Sequence, residues 1–202
     1  MKTKNLIFDL DGTLWDAAPP VAEGWNRILQ REIPLTSDDV RKLAGLPMDI
    51  IFEKLDVEPD PELLRRLIAS EHQVIEETGA DLFPGIRQTI EQLAKCYNLY
   101  IVSNCQQGYI ELFLRKMDMQ DLFIDHLCWG DTNQPKGITI QRLMTHHGMN
   151  NAVYIGDTRG DQVAAEVSGI PFIFVTYGFG QVEEPVEKID HIGELLEVFP
   201  CP

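Results

Sequence analysis

The sequence predicts an α/β protein: a parallel sheet with helices on both faces, interrupted after its first strand by a small all-helical insert. Three observations carry this prediction. Short apolar runs alternate with stretches of helical spacing, the pattern of parallel strands joined by crossover helices. From Asp16 to Ala80 no segment shows the two-residue alternation of a strand. The apolar runs also end, in the same chain sense, on polar residues: Asp9 and Asp11, Ser103 and Asn104, and Asp157. In a parallel sheet those ends converge on one edge, where open α/β sheets bind ligands.

Leu6, Ile7, Phe8 and Leu10 suit a strand covered on both faces, and Gly12 permits the turn that follows. Asp16 ahead of Ala17-Ala18-Pro19-Pro20 opens a helix to about Gln30, with Ala22, Trp25, Ile28 and Leu29 on one face. Thr36-Ser37-Asp38-Asp39 caps a short helix over 40–43, Gly45 and Pro47 punctuate the chain, and 48–55 is helical again. Pro59-Asp60-Pro61 starts a longer helix ending near Gly79, with Leu63, Leu64, Leu67, Ile68 and Ile75 as its buried stripe. From Leu82 the α/β rhythm begins. Phe83-Pro84-Gly85 leads into a helix to about Lys95, followed by a strand over 98–102, a helix over 106–117 and a weaker strand over 122–127. A helix over 136–147 stops at Gly148; a strand over 152–155, a helix to about Ser168 and a last core strand over 170–175 follow. Residues 178–185 read as loop and 192–198 as a surface helix. This places a core domain at 1–15 and 81–202 and a helical domain at 16–80.

A chain of 202 residues accommodates such a core, about 130 residues, with its insert. Its composition, 44% hydrophobic and 24% charged, is that of an ordinary globular protein, and no apolar run approaches the length of a membrane span. Met1-Lys2-Thr3-Lys4 is basic, but the apolar run behind it breaks at Asp9, too early for a signal-peptide core, so a cytoplasmic protein is expected. A formal net charge of -15 opposes nucleic acid and anionic membranes as partners. Cys96, Cys105, Cys128 and Cys201 lack metal-ligand spacing and read as reduced thiols. The five histidines form no zinc motif. Nothing in the sequence fixes an oligomeric state.

Asp9, Asp11 and Asp157 in one pocket repel one another by about 4 kcal/mol per pair at ~4 Å and an effective dielectric near 20. A cation must offset this. Oxygen-only ligands point to a hard ion, and Mg2+ is expected, since no 12-residue loop of alternating acids signals Ca2+. Lys136, opening a helix that returns over the same edge, adds a positive charge. With the Ser103 hydroxyl these groups make a site for a phosphate dianion.

Phe8-Asp9-Leu10-Asp11-Gly12-Thr13, Ser103-Asn104, Lys136 and Gly156-Asp157-Thr158-Arg159-Gly160-Asp161 resemble, in order and spacing, the four motifs of the haloacid dehalogenase-like hydrolases. The resemblance runs from residue 5 to about 175 and implies a Rossmann-like core. The insert resembles the small helical cap of the phosphoglycolate phosphatase and β-phosphoglucomutase branch. The resemblance implies that Asp9 attacks phosphorus to form an aspartyl-phosphate, with Asp11 as general acid and base. It makes Ser103, Asn104, Lys136 and the backbone at Leu10 and Gly12 the phosphate-binding groups. Mg2+ is then held by the Asp9 carboxylate, the Asp11 backbone carbonyl and Asp157, with Thr13 and Asp161 behind them, Asp161 orienting Lys136 or a metal-bound water.

Dehalogenating relatives generally lack the counterpart of Asp11, which favours phosphoryl transfer. A small phosphorylated metabolite is the expected partner, and a Mg2+-dependent phosphatase the first reading. A sugar phosphomutase and a non-catalytic binding protein are the alternatives. Arg41, Lys42 and Ala44-Gly45-Leu46-Pro47 resemble the cap region that reaches over the active site, though solvated cations beside a helix-separating turn explain them equally. Trp15 reads as a packed aromatic, Cys105 as an inert buried thiol, Gln106 and Gln107 as either substrate-facing or helix-opening, and Arg159 as a solvated helix-start residue.

Overall fold

The computed structural model describes residues 4–201, so the basic start read at Met1-Lys2-Thr3 lies outside it. The first strand, β1 (Asn5–Phe8), leads into a two-residue strand, β2 (Trp15–Asp16), and four helices: α1 (Ala18–Leu29), α2 (Ser37–Arg41), α3 (Met48–Lys54) and α4 (Pro61–Thr78). A second short strand, β3 (Asp81–Leu82), precedes the alternating part: α5 (Ile86–Leu93), β4 (Asn98–Ser103), α6 (Tyr109–Lys116), β5 (Asp125–Cys128), α7 (Trp129–Thr132), α8 (Lys136–His146), β6 (Val153–Gly156), α9 (Arg159–Ser168), β7 (Phe172–Val175), β8 (Glu187–Ile189) and α10 (Leu195–Val198).

The main sheet has six parallel strands among the described residues, in the order β5-β4-β1-β6-β7-β8. β1 lies between β4 and β6, with Ile7 beside Tyr100 and Tyr154. Alternation along the strand sorts its side chains to the two faces. Ile7 packs with Tyr100, Tyr154, Ile140 and Leu143 beneath α8 and α9, whereas Leu6 and Phe8 join the larger cluster with Ile86, Ile90 and Phe113 of α5 and α6. Both faces are covered, which is why β1 reads as an uninterrupted apolar run.

Between β2 and β3 the chain is helical, apart from its turns. α1 and α4 pack closely because Gly24 faces α4: a Cβ there would lie 2.6 Å from Glu71 Cα and 2.8 Å from Glu71 N. Ser70 Oγ donates to the Gly24 carbonyl at 2.7 Å across this contact. Helix α2 starts earlier than the sequence suggested, at Ser37 rather than 40, because Thr36 and Asp39 close a capping box around its first turn.

Four further expectations change. Trp15 and Asp16 pair antiparallel with Leu82 and Asp81, a two-stranded ribbon too short to show alternation. β8 adds a sixth strand beyond the one read as last, and the exposed, charged Glu187 and Lys188 hid it, as charges on an edge strand do. Helix α6 starts at Tyr109, after a further turn, so Gln106 and Gln107 precede it. Cys96 and Cys201 form a disulfide with Cα atoms 5.7 Å apart, correcting the reading of four free thiols. Spacing could not reveal a pair 105 residues apart. Packing of Tyr97 on Phe199, with the Tyr97 hydroxyl donating to the Pro200 carbonyl, brings the tail back to Cys96. Cys105 and Cys128 are free. No described helix is long and apolar enough to cross a membrane.

Candidate active site

The carboxyl ends of β1, β4 and β6 meet as their parallel register requires, bringing together Asp9, Ser103 and Asp157. Lys136 reaches them from the first residue of α8. Its Nζ stands 2.9 Å from Asp9 Oδ1 and 2.6 Å from Asp161 Oδ1, and all three side chains are buried. Burial opposes the Lys136 charge, but Asp161 and Asp9 outweigh it and hold the ammonium above its ordinary range.

Asp161 is fixed by its own helix start. Its Oδ2 accepts from Asp157 N at 3.2 Å, Thr158 N at 2.9 Å and Thr158 Oγ1 at 2.6 Å, while Thr158 Oγ1 accepts from Asp161 N. A capping box thus aims a carboxylate at Lys136. Asp157 is held separately: its Oδ2 accepts from Phe179 N at 2.7 Å and its Oδ1 from Thr13 Oγ1 at 3.3 Å.

Two buried carboxylates therefore pair with one ammonium, and a third, Asp157, lies beside them. Burial first, then Asp161, raises Asp9 to about 7 despite Lys136. Asp157 is raised likewise by burial, Asp161 and Asp9. Carboxylate oxygens of Asp9, Asp157 and Asp161 lie within 4.8 Å of one another. An all-oxygen, net-negative donor set fits a hard divalent cation, and Asp9 and Asp157 have the oxygens to offer, since Asp161 is engaged by Lys136 and its helix cap.

The turn after β1 sets Asp11 apart from this cluster. Gly12 has φ of 84°, and a Cβ there would collide with the Asp157 carboxylate. The Gly12 amide, expected on phosphate, donates instead to the Trp15 carbonyl at 3.0 Å, because the turn closes back on β2. Leu10 is buried and its carbonyl accepts from Thr13 and Leu14. Asp11 Oδ1 accepts from Trp15 Nε1 and Tyr109 Oη, each at 2.9 Å. Burial still pushes Asp11 up to about 6 against those two bonds. Such a carboxyl both donates and accepts protons near neutral pH.

Ser103 is buried at the end of β4. Asn104 Nδ2 donates to the Gly45 carbonyl at 2.8 Å, tying the sheet edge to the turn between α2 and α3, while its buried Oδ1 has no hydrogen-bond partner. Arg41, in that same part of the chain, is bound by Asp16 at 2.7 Å and Asp38 at 2.6 Å; Lys42 pairs with Asp39 on the surface. Arg159 pairs with Glu166 and Glu183. Burial raises the free Cys105 thiol well above its ordinary value.

Sequence reading missed Tyr109, Glu71 and the Phe179 amide. Tyr109 and Glu71 sit in ordinary amphipathic helices and carry no local signal. Phe179 carried one: it stands between two glycines, and a Cβ on Gly180 would lie 2.7 Å from the Asp157 carbonyl oxygen.

Comparison with known proteins agrees with this geometry. A family model described as haloacid dehalogenase-like hydrolase matches residues 6–175. A phosphoglycolate phosphatase from Caulobacter vibrioides is 30% identical, over 92% of this chain and 83% of its own length. Another from Vibrio vulnificus is 28% identical over 96% of this chain and 95% of its own. A solved haloacid dehalogenase-like family hydrolase from Streptococcus pneumoniae superposes with a TM-score of 0.78 at 23% identity, covering 98% of both chains, and so supports the fold. The chain belongs to the haloacid dehalogenase-like hydrolase family, and within it is a phosphatase, a phosphoric monoester hydrolase.

Proposed function

We propose that the chain hydrolyses a small phosphomonoester through an aspartyl-phosphate on Asp9, with Mg2+ as cofactor and residues 16–80 as the cap over the site. The observation that carries this is the placement of a buried carboxyl, Asp9, against Lys136 at 2.9 Å and in an acidic cluster where a bound cation would keep it ionised, near a second carboxyl, Asp11, raised to about 6.

In the first step a carboxylate oxygen of Asp9 attacks phosphorus and the ester P–O bond breaks. Its electron pair leaves on the alcohol oxygen, which takes the Asp11 proton. In the second, a water oxygen attacks the phosphorus of the acyl phosphate. Asp11 accepts its proton, phosphate departs and the Asp9 carboxylate returns. Lys136 offsets charge on Asp9 and the phosphoryl oxygens, and the Ser103 hydroxyl donates to that group. Asp161 keeps Lys136 in place. Asp9, the Asp11 carbonyl and Asp157 would hold Mg2+, with Thr13 bracing Asp157; the ion supplies positive charge to the phosphoryl group.

The deciding variant is Asp9→Asn, which should abolish hydrolysis of p-nitrophenyl phosphate with the fold retained by circular dichroism. Wild-type turnover by that variant rules out the covalent path. Chelation with EDTA should stop the wild type and Mg2+ restore it; undiminished turnover removes the metal from the mechanism.

A further inference from the structure

Beside Asp11 a cavity of about 80 Å3 opens between the sheet edge and the inserted helices. Val21, Val40, Leu43, Leu46, Met48 and Ile51 line its apolar side. Its polar side is made by Asp11, Glu71, Ser103, Asn104, Gln106 and Tyr109. Glu71 on α4 is 7% exposed and lines the cavity, with Oε2 accepting from Trp25 Nε1 at 2.6 Å. Gln106 Nε2 and Asn104 Oδ1, a donor and an acceptor, are buried there without partners.

No lysine or arginine is among the lining residues. Arg41 lies over the Phe179 ring, 5.9 Å from its centre, but is bound by Asp16 and Asp38. The ionisable carboxyls facing the cavity are Asp11 and Glu71. A carboxylate entering here would lose its hydration and find no cation to offset its charge. An uncharged alcohol would bury its carbon skeleton on the apolar wall and meet Gln106, Asn104 and Glu71 through a hydrogen-bonding group.

We propose that the leaving group of the substrate is an uncharged, mainly apolar alcohol, and that the apolar, cation-free wall discriminates against leaving groups bearing a carboxylate, including the phosphoglycolate in the names of the relatives. This rests on the phosphatase reading above, which makes the cavity beside Asp11 the leaving-group side of the site.

The test is kcat/KM at pH 7 for butyl phosphate, benzyl phosphate and phosphoglycolate, with p-nitrophenyl phosphate as a reference for turnover. Both neutral esters should exceed phosphoglycolate at least tenfold, and a smaller gap overturns the proposal. Val21→Arg should narrow the gap at least threefold by supplying a cation, whereas Glu71→Gln, which exchanges one buried neutral group for another, should leave it within about twofold. An unchanged gap in Val21→Arg, or a gap that narrows threefold in Glu71→Gln, overturns the proposal. If phosphoglycolate is preferred and Arg41→Ala abolishes that preference, Arg41 leaves its partners for the substrate and the proposal fails. If all esters including p-nitrophenyl phosphate stay intact in the presence of Mg2+, the phosphatase reading itself fails, and this inference with it.

Discussion

Lys136 Nζ lies 2.6 Å from Asp161 Oδ1, and the other oxygen of that carboxylate caps the helix on which Asp161 sits. A helix cap and the ammonium beside Asp9 thus share one side chain. Asp161→Asn should lower kcat on the order of 10²-fold by misplacing Lys136. The double variant Lys136→Met/Asp161→Asn should be no slower than Lys136→Met alone, because the two residues act as a unit. Additive losses in steady-state kinetics would assign Asp161 a separate task.

Metal binding should also appear without turnover. At about 100 times its dissociation constant, Mg2+ adds about 2.7 kcal/mol to stability if it binds only the folded state. A thermal melt should therefore rise with Mg2+ in wild type, and the rise should vanish in Asp157→Asn. An equal rise in both variants would place the ion elsewhere.

The approach of α1 to α4 leaves no space at Gly24. Gly24→Ala should cost about 1–3 kcal/mol, since backbone must separate to admit the methyl group. Urea denaturation measures this, and an unchanged midpoint would show that the helix pair yields freely.

Glu71 supplies a pH signature. Burial raises its carboxyl from 4.5 to about 8, against the hydrogen bond from Trp25. The titratable groups facing it are Asp11, Tyr109 and His72. Because the folded value lies above the unfolded one, its contribution is complete below about 4.5 and is lost as pH rises toward about 8. Relative to Glu71→Gln, wild type should lose on the order of 2–4 kcal/mol between pH 5 and 8. Denaturant titrations across that range measure the difference, and a gap independent of pH contradicts a buried neutral acid.

The core was legible because its signals are local. β1 announces itself by an apolar run that ends in Asp9, and Ser103, Lys136 and Asp157 stand at the ends or starts of elements whose periodicity is clear. Parallel pairing then places them on one edge without further information. Other features depend on contacts distant in sequence. Tyr109 reaches Asp11 across 98 residues, and Glu71 meets Trp25 across 46, each from a helix position with no mark of its own. The Cys96 and Cys201 pair is invisible for the same reason. β8 and the β2–β3 ribbon were missed because three and two residues are too few to display a period.

That ribbon has a mechanical meaning. The chain enters and leaves the helical insert through neighbouring strands, so the two connections behave as one strap with a single bending axis. Trp15 lies on this strap, and its indole holds the Asp11 carboxylate. On the reading proposed above, a swing of the helices about the strap would be geared to Asp11, so that opening the site for exchange would also turn the acid needed in the next turnover.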